Sequence, residues 1–377
     1  MVVNDNTTTD NKMSPQKVEQ QHHPLSWPSW VLVQMLNVNC FVVHWVCQLL
    51  APSLEPLVST FMIGGLFGLC IPPLLTLVMM TRFVPFGNTF FCAFGVWYFV
   101  SCVFDKSPLR PTGRGPAKAR NFFERCVEKF WASSFDYNPT TLRVLEKTDA
   151  LLKSQRQFIL FAVHPHGVHC WPLNLLCFRG SPFAKRYPHF ECAGLCASVM
   201  FFLPVIREAF LNLGYFDAAR PVAEKALEKS NLFVCTGGEK EAMLTKPGID
   251  YVVLRHRKGF VRLALKKNAA LVPVFGFGNN DLYHTYDFLT NFRNYLQTTF
   301  AIALPIFHGR LGTPLPYKVP LHVVIGDPIP LPARPTSATT EEWPTPQIID
   351  KVHHDYIQAL KHLHATYAPP GRQLQII

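Results

Sequence analysis

The sequence predicts an α/β domain with a mainly parallel sheet, preceded by an N-terminal hydrophobic membrane hairpin. Three observations predict it. From residue 158 onward, short apolar runs end in Gly or Pro clusters, as buried strands do. Stretches of helical periodicity lie between these runs, and strands alternating with helices build parallel sheets. The front of the chain is long, apolar and almost free of charge.

Composition supports this division. The chain has 377 residues, 49% apolar and 16% charged, with a net charge of +11. That much apolar content excludes a disordered chain, and the length excludes a small disulfide scaffold. Residues 1–104 hold Lys12, Lys17 and Arg82 against Asp5, Asp10, Glu19 and Glu55, a net of −1. The remaining 33 basic and 21 acidic residues give the body +12. An uncharged front joined to a basic body is the pattern of a membrane-attached protein with a soluble part. By charge alone the body suits nucleic acid, anionic headgroups or a phosphorylated substrate.

The first 30 residues read as a polar tail with no apolar signal core. Residues 31–104 read as membrane-embedded. Residues 56–81 and 83–104 carry no charge, and each run is long enough for a spanning helix. A weaker stretch, Trp30 to Leu50, contains His44 and Gln48. Pro72-Pro73 and Pro85 with Gly87 interrupt the runs, so the segment turns back as a hairpin or a re-entrant element. Residues 105–130 carry seven basic and three acidic residues, a basic linker placed on the cytosolic side. The eleven cysteines form no Cys-x-x-Cys pair and read as reduced thiols.

The body, 131–377, supplies the strands and helices. Phe158–Val163, Leu232–Cys235, Leu271–Phe275 and Leu321–Ile325 read as strands. Residues 257–268 place Phe260, Val261, Ala264 and Leu265 on one helical face. Ile349, Val352, Tyr356, Leu360 and Leu363 form a second apolar stripe, and Thr345-Pro346 supplies its N-cap and first-turn proline.

Chemistry concentrates where these strands end. The first runs into His164-Pro165-His166-Gly167, followed by His169. Two imidazoles there suit an acid/base centre, while a His-x-His pair with His169 as third ligand suits a metal. The second strand ends in Gly237-Gly238, followed by Glu241, where backbone amides can approach a ligand or simply turn. Arg255, Arg257 and Lys258 precede Gly259 at a helix start, a phosphate site or a solvated basic face. Asn279, Asn280 and Asp281 follow the third strand and either line a pocket or cap a helix. There is no Gly-x-Ser-x-Gly elbow and no P-loop, so a covalent serine mechanism has little support. Cys235 beside the glycine pair is the remaining thiol candidate.

Taken in order, His164-Pro165-His166-Gly167, the glycine pair with Glu241, Arg257-Lys258-Gly259-Phe260, Leu271-Val272-Pro273 and Phe277-Gly278-x-Asn280-Asp281-Leu282-Tyr283 form a specific series. It resembles the type 2 diacylglycerol acyltransferase family, which includes monoacylglycerol and wax-alcohol acyltransferases. The resemblance covers about 130–365, and Leu203 to Glu208 also fits it, which brings in Arg207. It implies a glycerolipid-acyltransferase-like fold and transfer of a fatty acyl group from acyl-CoA to a lipid hydroxyl, commonly diacylglycerol. It places the enzyme in the endoplasmic reticulum membrane, catalytic domain cytosolic, with access to lipid droplets.

The resemblance assigns the general base to His166 and a supporting role to His164, since some relatives carry glutamate at the first position. Glu241 orients the histidine or a basic residue. Gly237 and Gly238 offer oxyanion amides, and Arg255, Arg257 and Lys258 take the CoA phosphates. Gly167, Gly259, Asn280, Asp281 and Arg207 complete the expected substrate-binding set. No metal and no cofactor is implied, acyl-CoA being a co-substrate. The expected partners are acyl-CoA, diacylglycerol or a related lipid alcohol, membrane lipid and, in a homo-oligomer, further copies of the chain. Nucleic acid is not among them, because no binding motif accompanies the charge. Two departures stand out: Phe135-Asp136-Tyr137-Asn138-Pro139 replaces a usual Tyr-Phe-Pro, and Asn279 replaces a usual Glu. The competing classes are a metal-dependent lipid hydrolase and a non-catalytic lipid-droplet protein.

Overall fold

The computed structural model describes residues 87–377 apart from 110–120, 123, 128–141, 155–156, 178–180, 204–205, 301–302, 314 and 336–342. The apolar runs 30–50 and 56–81, the polar tail and most of the basic linker lie outside the described residues.

The body alternates strands and helices. In chain order these are α1 (Gly87–Phe104), β1 (Leu142–Val144), α2 (Glu146–Ser154), β2 (Ile159–His164), α3 (Trp171–Cys177), α4 (Pro182–Arg186) and β3 (Cys192–Cys196). Then follow α5 (Ile206–Leu213), β4 (Tyr215–Asp217), α6 (Arg220–Leu227), β5 (Asn231–Cys235), α7 (Glu239–Leu244), β6 (Ile249–Val252), α8 (Gly259–Lys267) and β7 (Ala270–Phe277). The last are β8 (His284–Tyr286), α9 (Thr290–Phe300), β9 (Ile306–His308), β10 (His322–Ile325), α10 (Pro346–Tyr367) and β11 (Gln373–Ile376).

Seven strands form one sheet in the order β1-β10-β7-β2-β5-β3-β4. Every neighbouring pair is parallel except β10 with β7. The central strand explains the architecture. All six residues of β2 are buried, so both faces of the sheet are covered, as parallel sheets require. Ile159, Phe161 and Val163 pack on one side with Trp171, Leu175 and Leu176 of α3 and Phe183 of α4. Leu160 and Ala162 pack on the other with Val261 and Ala264 of α8 and Tyr356 and Leu360 of α10. Phe161 stacks on its register partner Phe233 of β5, ring centroids 4.4 Å apart.

The four strands and two helices read from the sequence are present. The strand expected at 158–163 is displaced by one residue, because His164 pairs with Phe275 of β7 and is fully buried. Strands β3 and β4 had no clear signal. Cys192-Ala-Gly-Leu-Cys196 has no β-branched residue and is shaped by its neighbours: a Cβ on Gly194 would fall 2.5 Å from the Tyr215 ring.

Within the apolar run 83–104, the described residues Gly87–Phe104 form the single helix α1. It is tied to the body by Tyr98, whose hydroxyl donates to Glu208 at 2.9 Å, and by Asp105, which pairs with Arg207. Val96, Phe99, Val103 and Phe104 remain exposed. Among the described residues no helix is long and apolar enough to cross a membrane.

Phe161→Ala should remove the central aromatic stack and destabilise the fold by about 3–5 kcal/mol. Denaturant unfolding of the purified protein checks this; a loss below about 1 kcal/mol would contradict the central place given to β2.

Candidate active site

The site is built on the C-terminal end of β2. The chain leaves the sheet at Pro165, and the loop reverses at Gly167, whose φ of +62° is in the left-handed region. A Cβ there would also fall 2.4 Å from the Asn279 amide nitrogen, so glycine is required on both grounds.

His166 is half-buried. Its Nδ1 lies 2.9 Å from the Gly167 carbonyl oxygen. A carbonyl only accepts, so Nδ1 carries the proton and Nε2 keeps its lone pair. Burial lowers the imidazole pKa from its usual 6.5, partly offset by the Gly167 bond and by Glu239. The ring is therefore a neutral base at physiological pH.

His164 differs. It is fully buried, and its Nε2 lies 2.9 Å from the Tyr356 hydroxyl. That hydroxyl donates to the Ala162 carbonyl at 3.2 Å, so it accepts from His164, which carries its proton on Nε2. The Thr236 hydroxyl lies 3.4 Å from Nδ1. Burial pushes the pKa of His164 down to about 3. His164 is thus a neutral group that braces the strand end against α10.

Glu241 is 1% exposed. One carboxylate oxygen accepts the backbone N–H of His166 at 2.6 Å, the other that of Val253 at 2.7 Å. It holds the main chain of the histidine loop, and among the described residues its hydrogen bonds go to backbone N–H groups and not to an imidazole. Burial outweighs these bonds and raises its pKa from 4.5 to about 8. The glycine pair makes room for it: a Cβ on Gly237 would fall 1.8 Å from Oε1. Gly238 follows with a positive φ of 59° at the start of α7.

Asn279 closes the other side. Its amide nitrogen donates to the carbonyls of Pro165 at 3.1 Å and His166 at 3.0 Å. A glutamate at 279 has no hydrogen to give these carbonyls. Asn280 donates to the Ile249 carbonyl at 2.9 Å, and Asp281 accepts from the Gly248 N–H at 2.8 Å. Both thus fasten the loop after β7 to the start of β6.

The basic residues lie at the start of α8. Arg255 and Gly259 are exposed. Arg257 pairs with Glu239 at 3.3 Å, and Lys258 with Asp350 at 2.7 Å. Arg207 has a buried guanidinium that is held by Asp105 and donates to the Phe201 carbonyl at 3.2 Å. The His169 Nε2 accepts from the Asn174 amide at 2.6 Å, and the ring packs edge-on against Trp171. Among the described residues no group of three or more His, Cys, Asp or Glu could hold a metal ion. Burial pushes the Cys235 thiol well above its ordinary value, which disfavours the nucleophilic thiolate. Tyr356 is not marked as a site residue by the sequence, whereas Asn279 lies in the polar cluster after the third strand. The only signal for Tyr356 is a hydroxyl on an otherwise apolar helical stripe.

A neutral imidazole with one free nitrogen at a strand end is suited to deprotonating a hydroxyl. The profile of the family described as "Diacylglycerol acyltransferase" matches residues 85–369. "Diacylglycerol O-acyltransferase 2B" of Umbelopsis ramanniana is 27% identical over 86% of this chain and 91% of that protein. "Diacylglycerol O-acyltransferase 2" of Bos taurus is 32% identical over 70% and 73% of the two chains. "2-acylglycerol O-acyltransferase 3" of Homo sapiens is 32% identical over 72% and 79%. Among solved structures, the 1-acyl-sn-glycerophosphate acyltransferase of Thermotoga maritima gives a TM-score of 0.36 at 14% identity, over 82% of this chain and 97% of that one. The chain belongs to the diacylglycerol acyltransferase family and is an acyltransferase.

The raised pKa of Glu241 has a sign that can be checked. A carboxyl whose pKa is higher folded than unfolded contributes stability that is full below about 4.5 and lost as pH rises through about 8. Glu241→Gln should flatten that part of the stability–pH curve in detergent-solubilised protein. An identical slope in the variant would show that burial does not dominate this group.

Proposed function

We propose that the protein is an acyl-CoA:diacylglycerol O-acyltransferase, converting diacylglycerol to triacylglycerol with release of CoA. The observation that carries this reading is the half-buried His166 with Nδ1 committed to the Gly167 carbonyl and Nε2 free. In the reaction, Nε2 takes the proton of the acceptor hydroxyl as that oxygen attacks the thioester carbon. The carbon–sulfur bond then breaks, the imidazolium returns the proton to sulfur, and CoA leaves as the thiol. General-base help of this kind is worth roughly 10²–10⁴ in rate. No cofactor takes part.

Arg255, Arg257 and Lys258 are the candidates for the CoA phosphates. They are exposed or half-buried and stand just before α8, whose first N–H groups favour an anion. The acceptor and acyl tail are lipid-soluble and CoA is polar, so the reading places the site at the cytosolic face of the endoplasmic reticulum membrane, with access to lipid droplets. Residues 31–104 serve as the membrane attachment. A monoacylglycerol acceptor is the second reading, favoured by the equal 32% identity to the human 2-acylglycerol O-acyltransferase.

Offered labelled acyl-CoA with diacylglycerol, monoacylglycerol and a long-chain alcohol in competition, the detergent-purified protein should make chiefly triacylglycerol. His166→Ala should lose about 10²–10⁴ in rate while keeping expression and membrane association. Near-normal turnover by that variant would refute the assignment. Arg257→Ala should raise the KM for acyl-CoA by roughly tenfold with little change in kcat, the pattern of a lost charge-assisted phosphate contact. An unchanged KM removes Arg257 from the CoA site.

A further inference from the structure

Strand β11 lies beyond residue 369, where the match to the family profile ends, yet it is joined to the segments around the site. Strand β11 pairs in parallel with β6, from Gln373 opposite Ile249 to Ile376 opposite Val252. After it, the Ile377 N–H donates to Val252 at 2.9 Å, and the Ile377 carbonyl oxygen accepts from Leu254 at 2.9 Å and Arg255 at 2.8 Å. These bonds hold the backbone on both sides of Val253, a donor to Glu241. They also hold the first residue of the basic cluster.

Arg372, just ahead of β11, joins this arm to the histidine loop. Its Nε and Nη2 fork onto the two carboxylate oxygens of Asp250 at 3.0 and 2.8 Å, while Nη1 bonds Asp281. Asp250 is fully buried and also meets His364 at 3.0 Å and Asn280 at 3.4 Å. Asp281 lies two residues from Asn279, which holds the Pro165 and His166 carbonyls. One guanidinium therefore bridges two carboxylates on two segments that converge on His166. A buried carboxylate left without its cation is strongly unfavourable, and the planar guanidinium grips Asp250 bidentately while its remaining nitrogen holds Asp281, a geometry that an ammonium point charge does not reproduce.

We propose that Arg372 is a positioning residue for acyl transfer, acting through Asp281 and Asn279 on the histidine loop, and that β11 completes the active site. The inference rests on the reading of His166 as the base. Arg372 touches no reacting atom in this account; it sets where the His166 main chain lies.

Three full-length variants test it after purification in detergent: Arg372→Ala, Arg372→Lys and Arg372→Ala combined with Asp281→Asn. Arg372→Ala should lower kcat by about tenfold or more while the KM for acyl-CoA stays within about twofold. Arg372→Lys should fall between, and the double variant should recover part of kcat, because it relieves the uncompensated carboxylate pair. A readout independent of turnover is the rate at which diethyl pyrocarbonate modifies His166, followed by peptide mass spectrometry; it should change in Arg372→Ala. Normal kcat in Arg372→Ala overturns the proposal. So does a loss fully accounted for by a smaller folded fraction in thermal melts, with His166 modified at the wild-type rate. If the wild-type chain transfers no acyl group yet the modification rate still shifts with Arg372, the catalytic reading fails and the positioning link stands.

Discussion

The site depends on one buried carboxyl group. Glu241 accepts N–H groups from His166 and Val253, and so fastens the loop after β2 to the end of β6 across the start of α7. Main-chain N–H groups facing a protein interior must find an acceptor. Here one acceptor serves two of them and fixes two loops at once. Gly237 gives up its side chain to make this possible, and Asn279 answers from the opposite side by donating to the Pro165 and His166 carbonyls. The histidine loop is thus held through its N–H by an acid and through its carbonyls by an amide. That leaves the His166 ring with a single local bond and a free nitrogen.

This loop is as rigid as the strand that delivers it. Strand β2 is buried along its whole length between two helical layers, so its end point is set by the core. The last residue, His164, is itself pinned by Tyr356 from α10. The two histidines of one short motif consequently do different work. Register with Phe275 draws the first into the sheet, and the proline and glycine carry the second out to a half-buried place.

Much of the fold was legible because its cues are local. Apolar runs closed by Gly or Pro marked β2, β5, β7 and β10, and the stripe from Ile349 to Leu363 with a Thr-Pro start marked α10. The order of motifs led to the family that the wider comparison shows. Strands β3, β4 and β11 were not legible. Each is short, and its strand character comes from a neighbour: β3 from β5, β4 from β3, β11 from β6. Nor could the partner of Arg207 be read. Asp105 is remote in sequence and becomes its partner only once α1 packs beside α5.

The sequence by itself marked the candidate residues: an imidazole pair at a strand end, a glycine pair with an acid, and a basic cluster before a helix. Residue type and spacing suffice for that, because they report local conformation and the available donors and acceptors. Tertiary structure decided what each one does. Glu241 holds a backbone and not a ring, Asn280 and Asp281 fasten a loop, Arg207 braces a helix, and Arg372 joins segments some ninety and one hundred and twenty residues away. These roles depend on which groups meet in the interior, where an unpaired charge or amide is costly, and that meeting is set by the packing of both faces of the sheet.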